Sequence, residues 1–522
     1  MADPSFYPHP VSRVERRDTH ISTVFLTGRH VYKLKKPVDF GFLDARELEA
    51  RRRFCEQEVR LNQRLSHDIY EGVVELRQDD DGRLSLDGKG KGRVVEYAVK
   101  MVQLPDERRL KALLREGQVT PEDMRRLGGR LAAFYEQSLR SPEIDRYGDR
   151  EVVEYNMEEN FRQVEPFVGR LVSREPWELI RQVSRAFFQN WSGLFDERVR
   201  AGRIRDGHGD LRTDHIYFTS GIQIIDCIEF NDRFRFGDAI SDLAFLLMDI
   251  ERLGYAGLGR VMLSSYVERA DDPALYSLID FYGAYRAVVK VKVACLSSLE
   301  AKTASQQEVL HTSAEDYLNH AYRYALQFSR PTIWVCCGLP ATGKSSLASR
   351  MSQALSLVHL QTDLARKDVT SSLPSRDRIV PYGHGIYRLE LRQLVYGQLL
   401  AMAQDELKKG RSVLLDGSFS HRKWREQVVQ LAADLDTNVV FVECVCDEET
   451  IRNRLRLREG MDVHSDARLQ HLPEMMGEFE PLDELPAEST VRVDTAQSLS
   501  GALTEALSEG YARKCAQVGK VL

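Results

Sequence analysis

Residues 338–346, GLPATGKSS, fit the pattern G-x-x-x-x-G-K-[ST] that binds nucleotide phosphates. Its glycines let the backbone curl so that several N–H groups point at the phosphates, and the N-terminus of a following helix adds positive potential. Lys344 would then reach the β- and γ-phosphates, and the Ser345 hydroxyl would hold Mg²⁺. The pattern therefore predicts an ATP–Mg²⁺ site formed by Gly338, Thr342, Gly343, Lys344, Ser345 and Ser346.

Two acidic residues follow the next two apolar runs of the chain. Asp363 comes shortly after LVHLQ, and Asp416 ends SVLLD. Because open α/β sheets place their ligands at the carboxyl ends of strands, Asp363 is a candidate base for an attacking hydroxyl and Asp416 a candidate magnesium ligand. Arg366 would pin a substrate phosphate beside Asp363. The structural alternatives are a helix N-cap for Asp363 and a purely structural role for Asp416.

An arginine-rich run, RNRLRLR (residues 452–458), follows the fourth apolar run of this region. In a helix, Arg452 and Arg454 fall on opposite faces, so at most one of them can face a given ligand. A solvated helix and a lid that closes over the phosphates are the two alternatives, and in the lid both arginines are candidate substrate-binding residues. The acidic segment 478–488 is likewise either a lid or a surface loop.

A second candidate site lies nearer the N-terminus, in HGDLRTDH (208–215) and IQIIDCIEFND (222–232). These two segments resemble the core of aminoglycoside phosphotransferases and their protein-kinase-like relatives. The resemblance implies that Asp210 orients or deprotonates an acceptor hydroxyl and that Asp226 binds magnesium.

The same resemblance extends to the first 60 residues. It implies that Lys33, in HVYKL, is the ATP-binding strand lysine, with Lys35 as the alternative and Glu58 as the ion-pair partner. The chain has no glycine-rich flap between Phe25 and Tyr32, which weakens the expected grip on the phosphates.

His215 stands five residues after Asp210, where the related kinases carry an Asn that binds magnesium. Mg²⁺ prefers hard oxygen ligands, and an imidazole is a poor substitute. We favour a hydrogen-bonded loop residue over a metal ligand as the interpretation of His215, with Asp214 as an alternative oxygen ligand. The departure leaves open whether this site performs catalysis.

The composition is that of a soluble globular protein. Of its 522 residues, 43% are hydrophobic and 29% are charged, and this length suggests roughly two to four domains. The net charge of −6 argues against a surface coated with basic residues for long nucleic acids. Eight cysteines without zinc spacing indicate reduced thiols, and no run is apolar enough for a signal peptide or a membrane span. We therefore expect a cytoplasmic protein without a membrane partner.

Pro331 marks the predicted domain boundary, which gives domains of residues 1–329 and 330–522. The first domain mixes short strands, including a hairpin of STVFL and HVYKL, with helical patterns, and the resemblance implies a two-lobed, kinase-like α+β fold. In the second domain, apolar runs alternate with helical patterns, which predicts an α/β fold with a parallel sheet covered by helices on both faces. The predicted strands there are TIWVCC, LVHLQ, SVLLD, NVVFVECV and TVRVD.

The C-terminal features together resemble P-loop kinases of the polynucleotide-kinase and gluconate-kinase type over about residues 331–500. The spacing Asp363-x-x-Arg366 is similar to that of polynucleotide 5′-hydroxyl kinases, in which the Asp activates the hydroxyl and the Arg holds the neighbouring phosphate. The order of the two domains resembles bacterial fusions of an aminoglycoside-phosphotransferase-like domain with a P-loop kinase.

We therefore predict an ATP-dependent phosphotransferase whose C-terminal domain transfers the γ-phosphate of ATP to a hydroxyl. The first predicted acceptor is an RNA, DNA or nucleotide 5′-hydroxyl, and the second is a small sugar or other alcohol. The N-terminal domain would bind the acceptor or act as a second phosphotransferase. Two alternatives stay open: a regulatory switch that hydrolyses ATP beside a partner-binding pseudokinase domain, and a kinase that acts on aminoglycosides through Asp210.

Overall fold

The computed structural model describes residues 1–41, 43–86, 92–370, 389–458 and 468–519. The chain forms two compact units: Met1–Glu159 with Trp191–Met262, and Asn160–Asn190 with Leu263–Leu522. The second unit includes helices that precede residue 330, so the units divide the chain differently from the two predicted domains. The boundary near residue 330 stays a prediction.

An antiparallel sheet of six strands opens the first unit. Its strands are β1 (Glu15–Asp18), β2 (Ser22–Leu26), β3 (His30–Lys35), β4 (Tyr70–Gln78), β5 (Leu84–Leu86) and β6 (Arg93–Val102), in the spatial order β1-β2-β3-β6-β4-β5. The predicted hairpin is confirmed, since β2 and β3 pair with Phe25 opposite Tyr32. Because successive residues of a strand point to opposite faces, β3 presents Lys33 and Lys35 on the same face.

Helix α1 (Leu48–Asn62) packs against β4 and β6. Its inward face carries Cys55 and Glu58, both with 0% exposure, so a carboxylate lies inside the sheet–helix layer. Burying a carboxylate is costly unless cations compensate it, and the two lysines of β3 lie on the same sheet. This packing brings the predicted ion-pair partners together.

Short elements connect this sheet to a helical region. The helices are α2 (Leu110–Arg115), α3 (Pro121–Gln137), α4 (Pro142–Asp145), α5 (Arg150–Val164), α6 (Arg174–Trp191), α7 (Gly193–Arg200), α8 (Asp232–Arg235), α9 (Ala239–Arg252) and α10 (Ala256–Ala270). Two antiparallel strand pairs lie among them, β7 (Ile204–Asp206) with β10 (Phe236–Asp238) and β8 (Ile216–Phe218) with β9 (Ile222–Ile224). Helices α5, α6 and α10 contain residues of both units.

Helix α9 is buried along most of its length, which its sequence AISDLAFLLMDIER explains. The carboxylate of Asp238 caps its N-terminus by accepting the N–H of Ile240 at 3.0 Å. The apolar faces embed two further carboxylates, Asp242 and Asp249, at 4% exposure each. Buried carboxylates need hydrogen-bond partners, and these two find them in the loop that contains the HGD motif.

The second unit contains a five-stranded parallel sheet. Its strands are β11 (Thr332–Cys337), β12 (Val358–Gln361), β13 (Val413–Asp416), β14 (Asn438–Val445) and β15 (Thr490–Asp494), in the order β12-β13-β11-β14-β15. All five predicted strands are confirmed within one or two residues. Every residue of β11 and β13 is buried, as expected when both faces of a parallel sheet are covered.

The helices that lie wholly in this unit, among its described residues, are α11 (Leu275–Ser298), α12 (Ala304–Ser329), α13 (Lys344–Leu355), α14 (Thr362–Thr370), α15 (Leu389–Lys408), α16 (Arg422–Asp434), α17 (Glu448–Arg458), α18 (Leu472–Glu478) and α19 (Leu499–Gly519). Helices α15 and α16 cover one face of the sheet, where they share a core with Val335 and Phe441. Helices α13 and α19 cover the other face, where Met351 contacts Cys336 and Gly510 lies against Trp334. The predicted α/β fold is thereby confirmed.

Helix α19 also packs against the helical pair α11–α12. Asp280 of α11 is 3% exposed, and its carboxylate accepts hydrogen bonds from the Tyr511 hydroxyl at 2.6 Å and the Lys514 ammonium at 3.0 Å. The rings of Tyr276 and Tyr511 lie 5.5 Å apart beside this cluster. Both donors to this buried carboxylate come from α19. The hydrogen bonds therefore specify how α19 packs against α11.

None of the helices within the described ranges combines the length and the apolar character that crossing a membrane demands.

Candidate active sites

The phosphate-binding loop connects β11 to α13. Gly338 adopts φ 131° and Gly343 φ 90°, values that favour glycine. A Cβ at residue 338 would lie 2.5 Å from the carbonyl oxygen of Cys444 in the neighbouring strand. Only glycine therefore fits at the start of the loop, as the G-x-x-x-x-G-K-[ST] pattern requires.

Lys344, Ser345 and Ser346 form the first turn of α13, whose N–H groups have no partner within the helix. The ammonium of Lys344 donates to the carbonyl of Leu339 at 2.6 Å, and the Thr342 hydroxyl donates to the same oxygen at 2.8 Å. Lys344 thus lies across the loop that would receive the phosphates. The positive charge and the exposed N–H groups converge on one anion-binding surface.

Asp416 ends β13, the strand next to β11, and its backbone lies in register with Cys336. Its side chain is 5% exposed, and Thr362 donates its hydroxyl to the Asp416 carbonyl at 3.1 Å. The Nε2 atom of His359 lies 3.5 Å from a carboxylate oxygen of Asp416. The Asp416 carboxylate and the Ser345 hydroxyl supply oxygen donors, which fits the ligand preference of Mg²⁺.

Asp363 and Arg366 occupy the first turn of α14, beside the carboxyl end of β12. The Arg366 guanidinium contacts the Asp363 carboxylate at 3.0 Å, and both side chains are half-buried. The structure therefore brings the two predicted acceptor-binding residues together.

The two arginines of α17 point to different sides, as the helical spacing predicts. Arg454 donates to the Ala341 carbonyl of the phosphate-binding loop at 3.3 Å and to the Thr495 carbonyl at 2.6 Å. Arg452 pairs instead with Glu448 at 2.7 Å, and its side chain is 39% exposed. Of these two arginines, Arg454 is the one that contacts the phosphate-binding loop.

Thr495 and His359 were not among the predicted site residues. Thr495 follows β15, and its hydroxyl donates to the carbonyls of Thr342 and Val445. His359 lies within β12, one strand from Asp416. The signal that could have found both is their place at or near the carboxyl ends of predicted strands.

The acidic segment 478–488 is fastened to the loop that follows Asp416. The Arg425 guanidinium, with 0% exposure, donates to both carboxylate oxygens of Glu484 and to the carbonyls of Phe419 and Pro481. The N–H of Phe419 also donates to the Tyr396 hydroxyl at 3.1 Å. Arg425 thus holds this segment against the domain through an ion pair and hydrogen bonds.

In the first unit, Lys33 lies between two carboxylates. Its ammonium is 2.9 Å from Glu58 and 2.6 Å from Asp226. Lys35 binds the other oxygen of Glu58 at 2.5 Å and also contacts Glu229. Both lysines therefore pair with Glu58, and Lys33 as the ATP-binding lysine, with Lys35 as the alternative, stays a prediction.

The charges of this cluster shift one another. Burial opposes ionisation of Glu58, but Lys33 and Lys35 outweigh burial and lower the pKa of its carboxyl. Burial raises the pKa of Glu229 in spite of its lysine partner. Glu229 was not predicted, although its place three residues after Asp226 is a usable signal.

Asp226 occupies a strained position. Its backbone φ is 65°, which is rare for a residue other than glycine. Its N–H donates to the Tyr70 hydroxyl at 3.2 Å. Burial opposes the charge of Asp226, but Lys33 and His215 outweigh burial and hold its pKa well below the usual range. The carboxylate is therefore ionised and lies beside Lys33 and His215.

The loop that contains the HGD motif is anchored on α9. Asp242 accepts the N–H groups of His208 at 2.7 Å and Gly209 at 3.0 Å, and Asp249 accepts the N–H of Thr213 at 2.9 Å. These hydrogen bonds give both buried carboxylates of α9 the partners that burial requires. They fix the backbone on either side of Asp210.

Asp210 itself forms two hydrogen bonds with Arg212, at 2.9 and 3.0 Å. Asp214, the alternative oxygen ligand, accepts a hydrogen bond from Lys111 at 2.9 Å. His215 ends a short 3-10 helix, Thr213–His215, and its Nδ1 lies 2.9 Å from the Asp210 carbonyl. The preference for a hydrogen-bonded residue over a metal ligand stays a prediction. The Nε2 atom of His215 lies 3.4 Å from a carboxylate oxygen of Asp226.

Residues 333–482 match a family model described as an AAA domain. Among solved structures, a gluconokinase from Sinorhizobium meliloti 1021 is 20% identical and covers 37% of this chain and 98% of its own, with a TM-score of 0.28. A point mutant of aminoglycoside 2′-phosphotransferase-IIIa in complex with GDP is 16% identical and covers 60% of this chain and 94% of its own, with a TM-score of 0.37.

The chain combines an N-terminal antiparallel sheet and helices with a C-terminal parallel sheet that carries the GLPATGKSS loop. The uncharacterised proteins Rv2004c of Mycobacterium tuberculosis (strain H37Rv) and Mb2027c of Mycobacterium bovis are each 32% identical to it over 468 residues. The alignments cover 88% of this chain and 90% of each relative. The chain belongs to the family of these mycobacterial proteins.

Proposed function

We propose that the protein is an ATP-dependent phosphotransferase whose P-loop domain transfers the γ-phosphate of ATP to an acceptor hydroxyl. The observation that carries the proposal is the arrangement at the carboxyl edge of the parallel sheet. A phosphate-binding loop with its lysine, a strand-end carboxylate at Asp416, and the Asp363–Arg366 pair all belong to this edge. A nucleotide-hydrolysing switch has no need of the last pair.

In this mechanism, Lys344 releases the Leu339 carbonyl and binds the β- and γ-phosphates. Ser345 and Asp416 would hold Mg²⁺, which would neutralise charge on the phosphates. Asp363 accepts the proton of the acceptor hydroxyl, and the oxygen of that hydroxyl forms a bond to the γ-phosphorus of ATP. The bond between that phosphorus and the bridging oxygen breaks, and ADP leaves.

The acceptor class follows from Arg366. A guanidinium that pairs with the base in the resting protein can exchange that carboxylate for an acceptor phosphate, since the two anions have similar geometry. This favours a polynucleotide or nucleotide 5′-hydroxyl as acceptor, with a small sugar or alcohol as the second candidate. The N-terminal domain would bind the acceptor or act as a second phosphotransferase. The cysteines of the described residues form no disulfide bond, which suits a cytoplasmic location.

The test is phosphate transfer from γ-labelled ATP to a panel of 5′-hydroxyl RNA and DNA oligonucleotides, nucleosides, sugars and aminoglycosides. We expect label in an acceptor with the wild type and with Asp210→Ala, and none with Lys344→Ala. Lys409→Ala, which changes a lysine with 59% side-chain exposure in the same domain, is the matched control. Label that disappears only with Asp210→Ala would instead place the reaction in the N-terminal domain.

A regulatory switch is the second candidate, because Asp363 and Asp210 are both paired with arginines. Asp363→Asn separates the two functions. A switch keeps its ATP hydrolysis in this variant, whereas the proposed kinase loses transfer to every acceptor. Aminoglycoside-dependent ATP consumption that survives Lys344→Ala would identify a drug kinase that acts through Asp210.

A further inference from the structure

A cleft in the first unit lies between the β8–β9 hairpin and the corner that joins α2 to α3. Its volume is about 430 Å³ with the open mouth included, which suits a small molecule. Among the described residues, none that belongs to the two candidate active sites lines this cleft. Its chemistry is therefore not accounted for by either site.

The floor of the cleft is apolar. Leu113 of α2 is 4% exposed and Phe218 of β8 is 6% exposed, and both line the cleft. Because successive residues of a strand point to opposite faces, the side chain of Tyr217 lies on the other face of β8. There the Tyr217 hydroxyl accepts a hydrogen bond from Arg109 at 3.0 Å. The floor can therefore cover a small apolar group while the contact of Tyr217 stays in place.

Two guanidinium groups line the cleft above this floor. Arg108 donates through Nε to the Phe218 carbonyl at 2.6 Å, which holds its guanidinium at the cleft. Arg126 contacts the Asp123 carboxylate, and its side chain is 59% exposed. Asp123 also accepts the N–H of Thr120 at 3.0 Å and the Thr120 hydroxyl at 2.6 Å, as part of the N-terminal cap of α3. The lining thus carries two positive charges against one carboxylate, which α3 already uses.

The cleft also contacts the hairpin that connects the two motifs of the N-terminal site. Strand β8 begins directly after His215, and β9 ends two residues before Asp226. The N–H of Ile225 donates to the His215 carbonyl at 2.9 Å, which closes the hairpin between the motifs. A ligand that packs on Phe218 therefore contacts the segment that joins these motifs.

We propose that this cleft binds a small organic anion, a carboxylate or a phosphate monoester that carries one small aromatic or aliphatic group. Arg108 and Arg126 bind the oxyanion, because guanidinium groups match the oxygens of carboxylates and phosphates. Gln118 supplies an amide hydrogen bond at the same rim. The apolar group packs on Leu113 and Phe218. This site is independent of the reaction proposed for the P-loop domain.

The first experiment measures the binding of three probes to the full chain by fluorine nuclear magnetic resonance. The probes are para-fluorophenyl phosphate, para-fluorobenzoate and the neutral para-fluorobenzyl alcohol. We expect at least one of the anions to bind, and the alcohol to bind about tenfold or more weakly than that anion. The two anions distinguish a phosphate site from a carboxylate site. Failure of both anions to bind, or equal affinity for the alcohol, would overturn the proposal.

Charge changes at the rim of the cleft test its location. Arg126→Gln and Gln118→Glu both alter exposed side chains, and each should weaken binding of the anion about tenfold or more. Gln118→Lys adds a positive charge and should strengthen binding. Arg125→Gln is the matched control, because Arg125 is the preceding residue of α3, pairs with Glu122 and has a side chain that is 56% exposed. This control should bind the anion as the wild type does.

Lys344→Ala separates the cleft from the phosphate-binding loop, which could also attract an anion. The variant should keep the affinity of the wild type for the probe, since Lys344 lies in the other unit. Loss of binding in Lys344→Ala would assign the probe to the phosphate-binding loop and overturn the proposal. Unchanged affinity in both Arg126→Gln and Gln118→Glu would do the same.

Discussion

The ammonium nitrogen of Lys33 lies 2.6 Å from a carboxylate oxygen of Asp226. The residue predicted to bind ATP phosphates is thus paired with the residue predicted to bind the metal. A nucleotide that enters the N-terminal site must compete with this ion pair, while Glu58 retains both lysines. The cations and carboxylates of the resting site pair with one another, and Lys33 and Lys35 share the carboxylate of Glu58.

Glu58→Gln should destabilise the first unit strongly. The change leaves Lys33 and Lys35 inside the sheet–helix layer without their shared carboxylate, and breaking a buried ion pair costs about 3–5 kcal/mol. Denaturant unfolding monitored by circular dichroism measures the loss. Glu56→Gln, in an exposed pair with Arg52 on the same helix, is the control and should leave the transition in place. Equal effects of the two changes would contradict a central role for Glu58.

His208 should make the protein less stable in mild acid. Its ring is fully buried, between the Ile225 carbonyl at 3.0 Å and the N–H of Asp210 at 3.3 Å, and burial lowers its pKa from 6.5 to about 4. Between pH 6.5 and 4 the unfolded chain therefore binds a proton that the folded chain refuses. Stability is complete above pH 6.5 and falls as the pH drops, by at most about 1.4 kcal/mol per pH unit.

Unfolding free energies measured from pH 7 to pH 5 check this prediction. His208→Gln should flatten the profile, because glutamine cannot take up the proton. His67→Gln changes a side chain with 83% exposure and should preserve the slope. An unchanged slope in His208→Gln would assign the acid sensitivity to other groups.

Gly338→Ala should weaken ATP binding while the sheet stays folded. The new Cβ would meet the Cys444 carbonyl at 2.5 Å in a backbone conformation with φ 131°. Strain of this kind costs about 1–3 kcal/mol, which corresponds to roughly 5- to 150-fold in affinity. Titration with a fluorescent ATP analogue measures the change. Gly397→Ala, at a position where an added Cβ meets nothing within 4 Å, should bind as the wild type does.

Arg425→Met should release the acidic segment 478–488. The variant leaves Glu484, with 11% side-chain exposure, without its main cation and should cost about 3–5 kcal/mol. Limited proteolysis should then cut within the segment, and the unfolding transition should shift. Arg422→Met, which changes a side chain with 49% exposure, should cost at most about 1 kcal/mol. Resistance of the Arg425 variant to proteolysis would show that other contacts hold the segment.

The parallel sheet was predictable because its strands are short, continuous apolar runs. These runs also place Asp416 and Asp363 near the carboxyl edge, since parallel strands all end on the same side. The strand β4 escaped prediction because glycine and charged residues interrupt the apolar pattern of YEGVVELRQ. Local pattern therefore identifies the C-terminal fold better than the N-terminal sheet.

The pairing of charged side chains was only partly predictable. The resemblance to kinases predicted the ion pair between Lys33 and Glu58. The ion pair between Lys35 and Glu229 joins residues 194 positions apart, and no local pattern encodes it. The ion pair of Arg212 with Asp210 is local, yet its geometry depends on the loop that Asp242 and Asp249 hold. Such contacts depend on tertiary packing.

The contact between Asp280 and Tyr511 sets an order of events during protein synthesis. The ribosome must add 231 residues after Asp280 before Tyr511 exists. At about 5–20 residues per second, this takes roughly 10–50 seconds. For that interval the face of α11 that later receives α19 stays uncovered, with an unpaired carboxylate among apolar side chains. We expect this face to contact solvent until translation delivers α19.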